Sequence, residues 1–201
     1  MGDEAMQTLP DIIETARLRL RPFRLQDAVA VPAYASDLEW ARYLPVPQPY
    51  TAADAERFLA GQVLLDHQRH PSWAIEHAGA VRGGINIRFD FDNRVAELGY
   101  SIGRSYWGQG LTTKAARAVL DLAVSAYATL NRICARADTR NVGSLRVMEK
   151  IGMIREGVLR QNRVVRGQLV DEVWCGILRR EWEANRLTTG NTGDNSKMVS
   201  D

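Results

Sequence analysis

Residues 96–120 read AELGYSIGRSYWGQGLTTKAARAVL, and no other stretch constrains the fold as tightly. The residues leading in, 95–102, have the pattern of a strand. Leu111, Ala115, Ala118, Val119, Leu122 and Ala126 then line one face of a helix. Gly108 and Gly110 mark the turn between the two. The first turn of a helix leaves its N–H groups unpaired and carries a partial positive charge. Glycine removes the Cβ that would hold a phosphate away from the backbone. The backbone of Gln109, Gly110, Leu111 and Thr112 is therefore expected to cradle a pyrophosphate, with Thr112 and Thr113 adding hydroxyl donors.

Two common phosphate loops use the same physics and fail here. A dinucleotide fold needs G-x-G-x-x-G, but Thr113 stands at the third glycine. Asp121, in mid-helix, comes too early to bind a ribose. A nucleotide P-loop needs G-x-x-x-x-G-K followed by Ser or Thr. Here Thr113 precedes Lys114 and Ala115 follows it, so the hydroxyl for magnesium is missing. Taken alone, the glycine pair could also be a purely structural turn.

The rest of the chain sets the architecture around this unit. Residues 16–23 alternate leucine with arginine and predict a strand, with Arg17, Arg19 and Arg21 on its wet face. Residues 25–34 predict a short helix bent near Pro32. Thr51, with Asp54 three residues on, is placed to cap a helix running to about His67. Strands follow over residues 72–77, 81–90 and 95–102, with Gly83 and Gly84 at a bend or bulge. A strand over 132–137, a helix over 141–150 and a strand pair over 153–163 and 169–178 complete the set, turning at Arg166 and Gly167. Residues 179–186 predict a last helical turn. The fold class is α/β, an α+β mixed sheet: mostly antiparallel, with one parallel pair made by the strand–helix–strand unit. With 201 residues the chain fits one domain. Residues 1–13 read as an N-terminal extension, 14–186 as the domain, and 187–201 as a polar, disordered tail.

Composition excludes several classes of function. A formal charge of +2, with basic residues spread among acids, gives no stripe for nucleic acid. Cys134 and Cys175 lack metal spacing and fall in strand-like runs, as buried thiols of a reducing compartment do. His67, His70 and His77 make no H-E-x-x-H pattern, so no metal is expected. The start contains Asp3 and Glu4 and lacks the apolar core of a signal peptide. No apolar run is long enough to cross a bilayer, which points to the cytoplasm and to no membrane partner.

Several further motifs occur in order. They are Gly99-Tyr100, Trp107-Gly108-Gln109-Gly110, Asn141 with Ser144, Glu149-Lys150-Ile151-Gly152-Met153, Glu156-Gly157, Gly167 with Asp171, and Glu181-Trp182. Together they resemble the GNAT acyl-CoA N-acetyltransferases, whose phosphate loop reads Q/R-x-x-G-x-G/A. More closely they resemble the branch of bacterial ribosomal-protein N-terminal (alanine or serine) acetyltransferases. The resemblance spans about residues 14–182. Three positions depart from the pattern: Ser105 at the Q/R position, Met153 for the usual Phe, and Met148 where many members carry a tyrosine general acid. The Ser105 departure leaves a phosphate contact missing or taken over by Arg104.

The resemblance implies the GNAT-like acyl-CoA N-acyltransferase fold, its parallel strand pair splayed around the cofactor. It implies acetyl-CoA as co-substrate and direct acetyl transfer to a primary amine, either a protein N-terminus or a small molecule. Such an amine must lose a proton. Glu97, on the strand entering the loop, is the candidate base, with Glu56 or a water chain as alternatives. Ser144 is the donor to the departing thiolate in the resembled branch; as a bare sequence feature it could equally cap its helix. Asn141 resembles the asparagine that meets the cofactor, and the backbone near Ile102 the strand that pairs with the pantetheine arm. The expected cofactor site is thus Ile102, Trp107, Gly108, Gln109, Gly110, Leu111, Thr112, Thr113 and Asn141. Tyr100 reads first as a core aromatic, with a lining of the acceptor cleft as the alternative, and Trp40 and Tyr43 as walls of the acceptor site or as core. Arg117, Arg146 and Lys150 are candidates for the 3′-phosphate or solvated helix faces. A non-catalytic acyl-CoA sensor is the alternative; the presence of Glu97 and Ser144 leans against it. Either a monomer or a homodimer fits the sequence.

Overall fold

In residues 80–90 apolar and polar side chains alternate, so Val81, Ile85, Ile87 and Phe89 are buried while Asn86, Arg88 and Asp90 face water. This pattern makes an 11-residue strand near the centre of one sheet. The computed structural model describes residues 8–190, with side chains as far as Leu187. Its strands are β1 (Ile13–Glu14), β2 (Arg19–Arg21), β3 (Ser72–His77), β4 (Ala80–Asp90), β5 (Val95–Ile102), β6 (Arg132–Asp138), β7 (Ile154–Val165) and β8 (Gln168–Leu178). Their order in the sheet is β1-β2-β3-β4-β5-β6-β8-β7. Every neighbouring pair is antiparallel except β5 and β6, which are parallel. The mixed sheet expected from the sequence is present.

The helices are α1 (Pro32–Ala35), α2 (Leu38–Ala41), α3 (Ala52–Val63), α4 (Leu111–Ala126), α5 (Val142–Lys150) and α6 (Arg179–Gly190). They divide between the two faces of the sheet. On one face, Leu111, Ala115, Ala116, Val119, Leu120, Ala123 and Val124 of α4 bury against Leu98, Ile102, Ile133 and Ala135. Ala118, Leu122 and Ala126 of the expected stripe pack at the margin of that core. On the other face a smaller cluster joins α1–α3 to the β2–β4 half through Phe23, Leu59, Ala74 and Val81. No helix among the described residues is long and apolar enough to cross a membrane.

Several expectations are corrected. Arg21 is not on a wet face: it is 7% exposed and paired with Asp27 and Glu76. The expected bent helix is a 3-10 turn over Leu25–Val29 followed by α1, with Pro32 at the first helical positions, where its missing N–H costs nothing. The helix capped by Thr51 ends at Val63, and the short α2, capped by Asp37, was not foreseen. Gly83 matters for close approach, since a Cβ there would lie 2.2 Å from the Ser101 carbonyl oxygen. The expected bulge is present beside Gly83, where Ile75 pairs with Gly83 and the next residue, Glu76, with Val81. At the ends, β1 begins at Ile13 and Leu9 is buried in the core, so the sheet starts before residue 14. Helix α6 continues through residues 187–190, so the helix extends past the polar boundary expected at residue 187. Residues 191–201 and 1–7 lie outside the described residues.

Candidate active site

The register of β5 builds the site. On its β4 side pairing runs from Val95 to Ile102. On its β6 side it stops at Glu97, opposite Cys134. Beyond that rung the two parallel strands part, leaving a wedge whose walls are Leu98 to Ile102 and Ala135 to Asp138. The wedge opens toward the turn that leads into α4.

At that turn the backbone does what glycine allows. Gly108 and Gly110 have φ of 73° and 74°, a region other residues rarely adopt, and an added Cβ at either would meet nothing within 4 Å. The space over the loop is therefore open, as a diphosphate needs. Gly110 caps α4, so the N–H groups of the first turn face that space. Leu111 is 1% exposed, anchoring the helix in the core and leaving only its backbone for a ligand. Thr112 and Thr113 are half-buried on the same turn. The loop is held from two sides. Arg17 Nη1 donates to the Gln109 carbonyl at 3.0 Å, and Gln109 Nε2 to the Ser105 carbonyl at 2.9 Å. The Trp107 indole N–H donates to the Ile102 carbonyl at 2.9 Å. The Trp107 side chain thus braces the strand exit, which leaves only its backbone available to a ligand over the turn. These residues fit a pyrophosphate group.

The wedge is bridged on its α4 and α5 side. Tyr100 reaches from β5 to α5, and its hydroxyl lies 3.1 Å from both the Ser144 Oγ and the Ser144 carbonyl oxygen. Burial pushes the Tyr100 phenol well above its usual pKa, so it stays protonated as a donor. Tyr100 is thus more than the core aromatic the sequence suggested. The cap of α5 is Asn141, whose Oδ1 accepts the Ser144 N–H at 3.1 Å. The cap is therefore supplied by Asn141, and the Ser144 hydroxyl takes no part in it. Met148 is 1% exposed, a core side chain with no donor to offer.

Glu97 stands on the opposite face. Strand alternation separates it from Tyr100, so the structure does not bring Glu97 and Ser144 together. The Glu97 carboxylate accepts from Arg136 Nε at 2.9 Å and is also ion-paired with Arg88. Arg136 in turn donates to Glu172 at 3.3 Å and lies over the Trp174 ring at 5.3 Å. Glu172, 1% exposed, also accepts from Asn162 at 2.6 Å and Arg163 at 3.4 Å. Sequence reasoning missed Arg136, Arg163, Glu172 and Trp174. The local signal was a pair of acids, Asp171 and Glu172, between the apolar Val170 and Val173 of a strand.

The walls of this second mouth come from distant segments. Tyr34 of α1 stands against Gly103 at the end of β5, and Asp37 is 3.6 Å from Arg104. Trp40 is core, edge-on to Tyr34, while Arg140 lies over the Tyr43 ring at 5.8 Å. Arg166, in the β7–β8 turn, donates to the carbonyls of Ala41 and Arg42 at 2.7 Å each, closing the hairpin onto α2. Glu56 is an exposed residue of α3. Arg117 is engaged with the Lys150 carbonyl at 2.6 Å, while Arg146 and Lys150 are exposed on α5.

A family model described as the acetyltransferase (GNAT) domain matches residues 17–154. The uncharacterized N-acetyltransferase p20 of Bacillus licheniformis is 30% identical over 178 residues, 86% of this chain and 98% of its own length. A GNAT-family acetyltransferase structure from Bacillus anthracis superposes with a TM-score of 0.75 at 28% identity, over 85% of this chain and 99% of that one. RimJ of Mycobacterium smegmatis, solved in complex with CoA-disulfide, gives a TM-score of 0.75 at 25% identity, over 93% and 96%.

Proposed function

The chain belongs to the GNAT acetyltransferase family and is an acetyl-transferring enzyme, and from that premise we propose that acetyl-CoA lies along the β5–β6 wedge and gives its acetyl group directly to an amine arriving from the Glu97 face. The observation that carries this reading is the wedge itself, which opens directly onto the glycine turn at the start of α4. The likeness to RimJ, whose structure holds a coenzyme A disulfide, supports it. Helices α4 and α5 cover one face of the wedge, so the acceptor enters by the other.

Each residue then has a distinct task. The first-turn N–H groups after Gly110, with Thr112 and Thr113, hold the diphosphate. The Ile102 backbone edges the wedge beside the pantetheine arm, and Asn141 steadies the turn that presents Ser144. Attack by the amine nitrogen on the thioester carbon breaks the carbon–sulfur bond. Ser144 donates its hydroxyl proton to the departing sulfur and regains one from solvent. The amine gives up a proton to Glu97 and from there to solvent, so one proton is taken up for the one released. Both Glu97 oxygens are held by guanidiniums, so that proton reaches Glu97 through water rather than by direct contact.

Gly110→Asp tests the cradle. It places a side chain and a negative charge where the diphosphate sits. Coenzyme A affinity, measured by calorimetry on the folded variant, should fall at least about tenfold, or about 1.4 kcal/mol. Unchanged affinity would remove the loop from the site. Glu97→Gln tests proton acceptance, since it keeps the shape and removes the acceptor charge. Turnover at neutral pH should fall about tenfold, a modest share of what general bases contribute. It should recover as pH rises, because more of the acceptor amine is then already neutral. A variant profile that parallels the parent at every pH would make Glu97 a structural residue.

A further inference from the structure

The face through which the acceptor enters carries more guanidinium than carboxylate. Glu97 and Glu172 are shared among three arginines, Arg88, Arg136 and Arg163. Around them, Asp138 is paired with Arg140 and Asp37 with Arg104. Arg166 is held by carbonyl oxygens rather than by a carboxylate. The Trp174 indole N–H, beside Arg136, is buried with no partner among the described residues. One unpartnered indole donor and an excess of guanidinium over carboxylate therefore lie beside the place where β5 and β6 part. Arg136 lies two residues past the last paired rung, Cys134, and its bond to Glu97 crosses the base of the wedge.

We infer that the acceptor is an amine that carries an anionic group, a carboxylate or a phosphate, on the same molecule. Its anion is held by the arginine cluster of Arg88, Arg136 and Arg163, and its amine points into the wedge. This rests on the acetyl-transfer reading above and narrows it. A polycation finds no carboxylate here without a guanidinium already on it, and would meet like charge, which costs affinity. An anionic group finds planar donors suited to its oxygens. The same cluster serves the chemistry: cations nearby disfavour the protonated form of the amine, so more of it is neutral at a given pH. A carboxylate base held between two arginines then suffices.

The test compares matched acceptors, following thiol release from acetyl-CoA together with the N-acetyl product. One pair is a glutamyl and a lysyl dipeptide amide, another is phosphoethanolamine and ethanolamine, and spermidine is the polycation. The two anionic members separate carboxylate from phosphate as the source. The better of them should exceed its partner and spermidine in kcat/KM by about tenfold, the factor of 1.4 kcal/mol. The difference should lie in KM and shrink as salt is added. Arg163→Gln should move the ratio toward unity while coenzyme A affinity, read at the α4 turn, stays parental and reports a folded protein. Should that variant fail to fold, the salt series on the parent decides alone. Equal or better use of the lysyl peptide or of spermidine by the parent would overturn the inference and leave acetyl transfer standing. An Arg163→Gln ratio equal to the parent's would likewise overturn it. Transfer to none of these amines would remove the acetyl-transfer reading, and this inference with it.

Discussion

Ser144→Ala should lower turnover by about 10- to 100-fold while leaving coenzyme A affinity near parental. General acids contribute about 10²–10⁴, and the lower figure applies because coenzyme A is a fair leaving group. The geometry separates this outcome from a structural one. Asn141 supplies the α5 cap, so removing the Ser144 hydroxyl does not uncap the helix. Tyr100 keeps a second acceptor in the Ser144 carbonyl at 3.1 Å. The stability cost should therefore be only that of one hydrogen bond, about 0.5–1.5 kcal/mol. Single-turnover kinetics on the variant, with its thermal unfolding measured beside it, reads both quantities. Parental turnover with reduced stability would make Ser144 a structural residue and leave the departing sulfur to be protonated by solvent.

Asp27→Asn should cost about 3 kcal/mol of folding stability, the low end of the range for breaking a buried pair by removing one partner. Arg21 and Asp27 are each 8% exposed in their side chains and meet through two bonds, at 2.8 and 2.9 Å. The low end applies because Arg21 keeps Glu76 at 2.8 Å. Burial alone would raise the Asp27 carboxyl. The Arg21 guanidinium and the Arg24 N–H outweigh it, and the net pKa is below the usual value. A depressed folded pKa gives stability that is present above the unfolded value, about 4, and is lost as pH falls through the folded value. The parent should accordingly lose stability on acidification below about pH 4, and Asp27→Asn should lose less over that range. Denaturant titrations of both proteins from neutral to acid pH would show it. Equal slopes against pH would exclude Asp27 as a source of acid sensitivity.

How far each feature could be read from the sequence follows from how local its cause is. The glycine turn and the helix after it were legible because two glycines and a helix face lie within twenty consecutive positions, residues 107–126. The parallel pair was legible from the strand–helix–strand order. Arg21 was misread because alternation describes a strand by itself, whereas its environment is set by Asp27 and by Glu76, fifty-five positions away. The motif pairing Asn141 with Ser144 was visible, but its division of labour depends on Tyr100, brought over from β5. The arginine cluster was invisible because its members come from β4, β6 and β7 and meet only through sheet register. In the sequence each looks like an ordinary solvated arginine.

The most direct test of the central claim is turnover by the full chain. Acetyl-CoA is mixed with each acceptor amine, free thiol is followed over time, and the N-acetyl product is identified by mass. Thiol should appear only with an amine present, one equivalent for each N-acetyl product, and Gly110→Asp should suppress both at subsaturating acetyl-CoA. Tight binding of coenzyme A with no transfer to any amine would contradict the enzymatic reading and leave a cofactor sensor in its place.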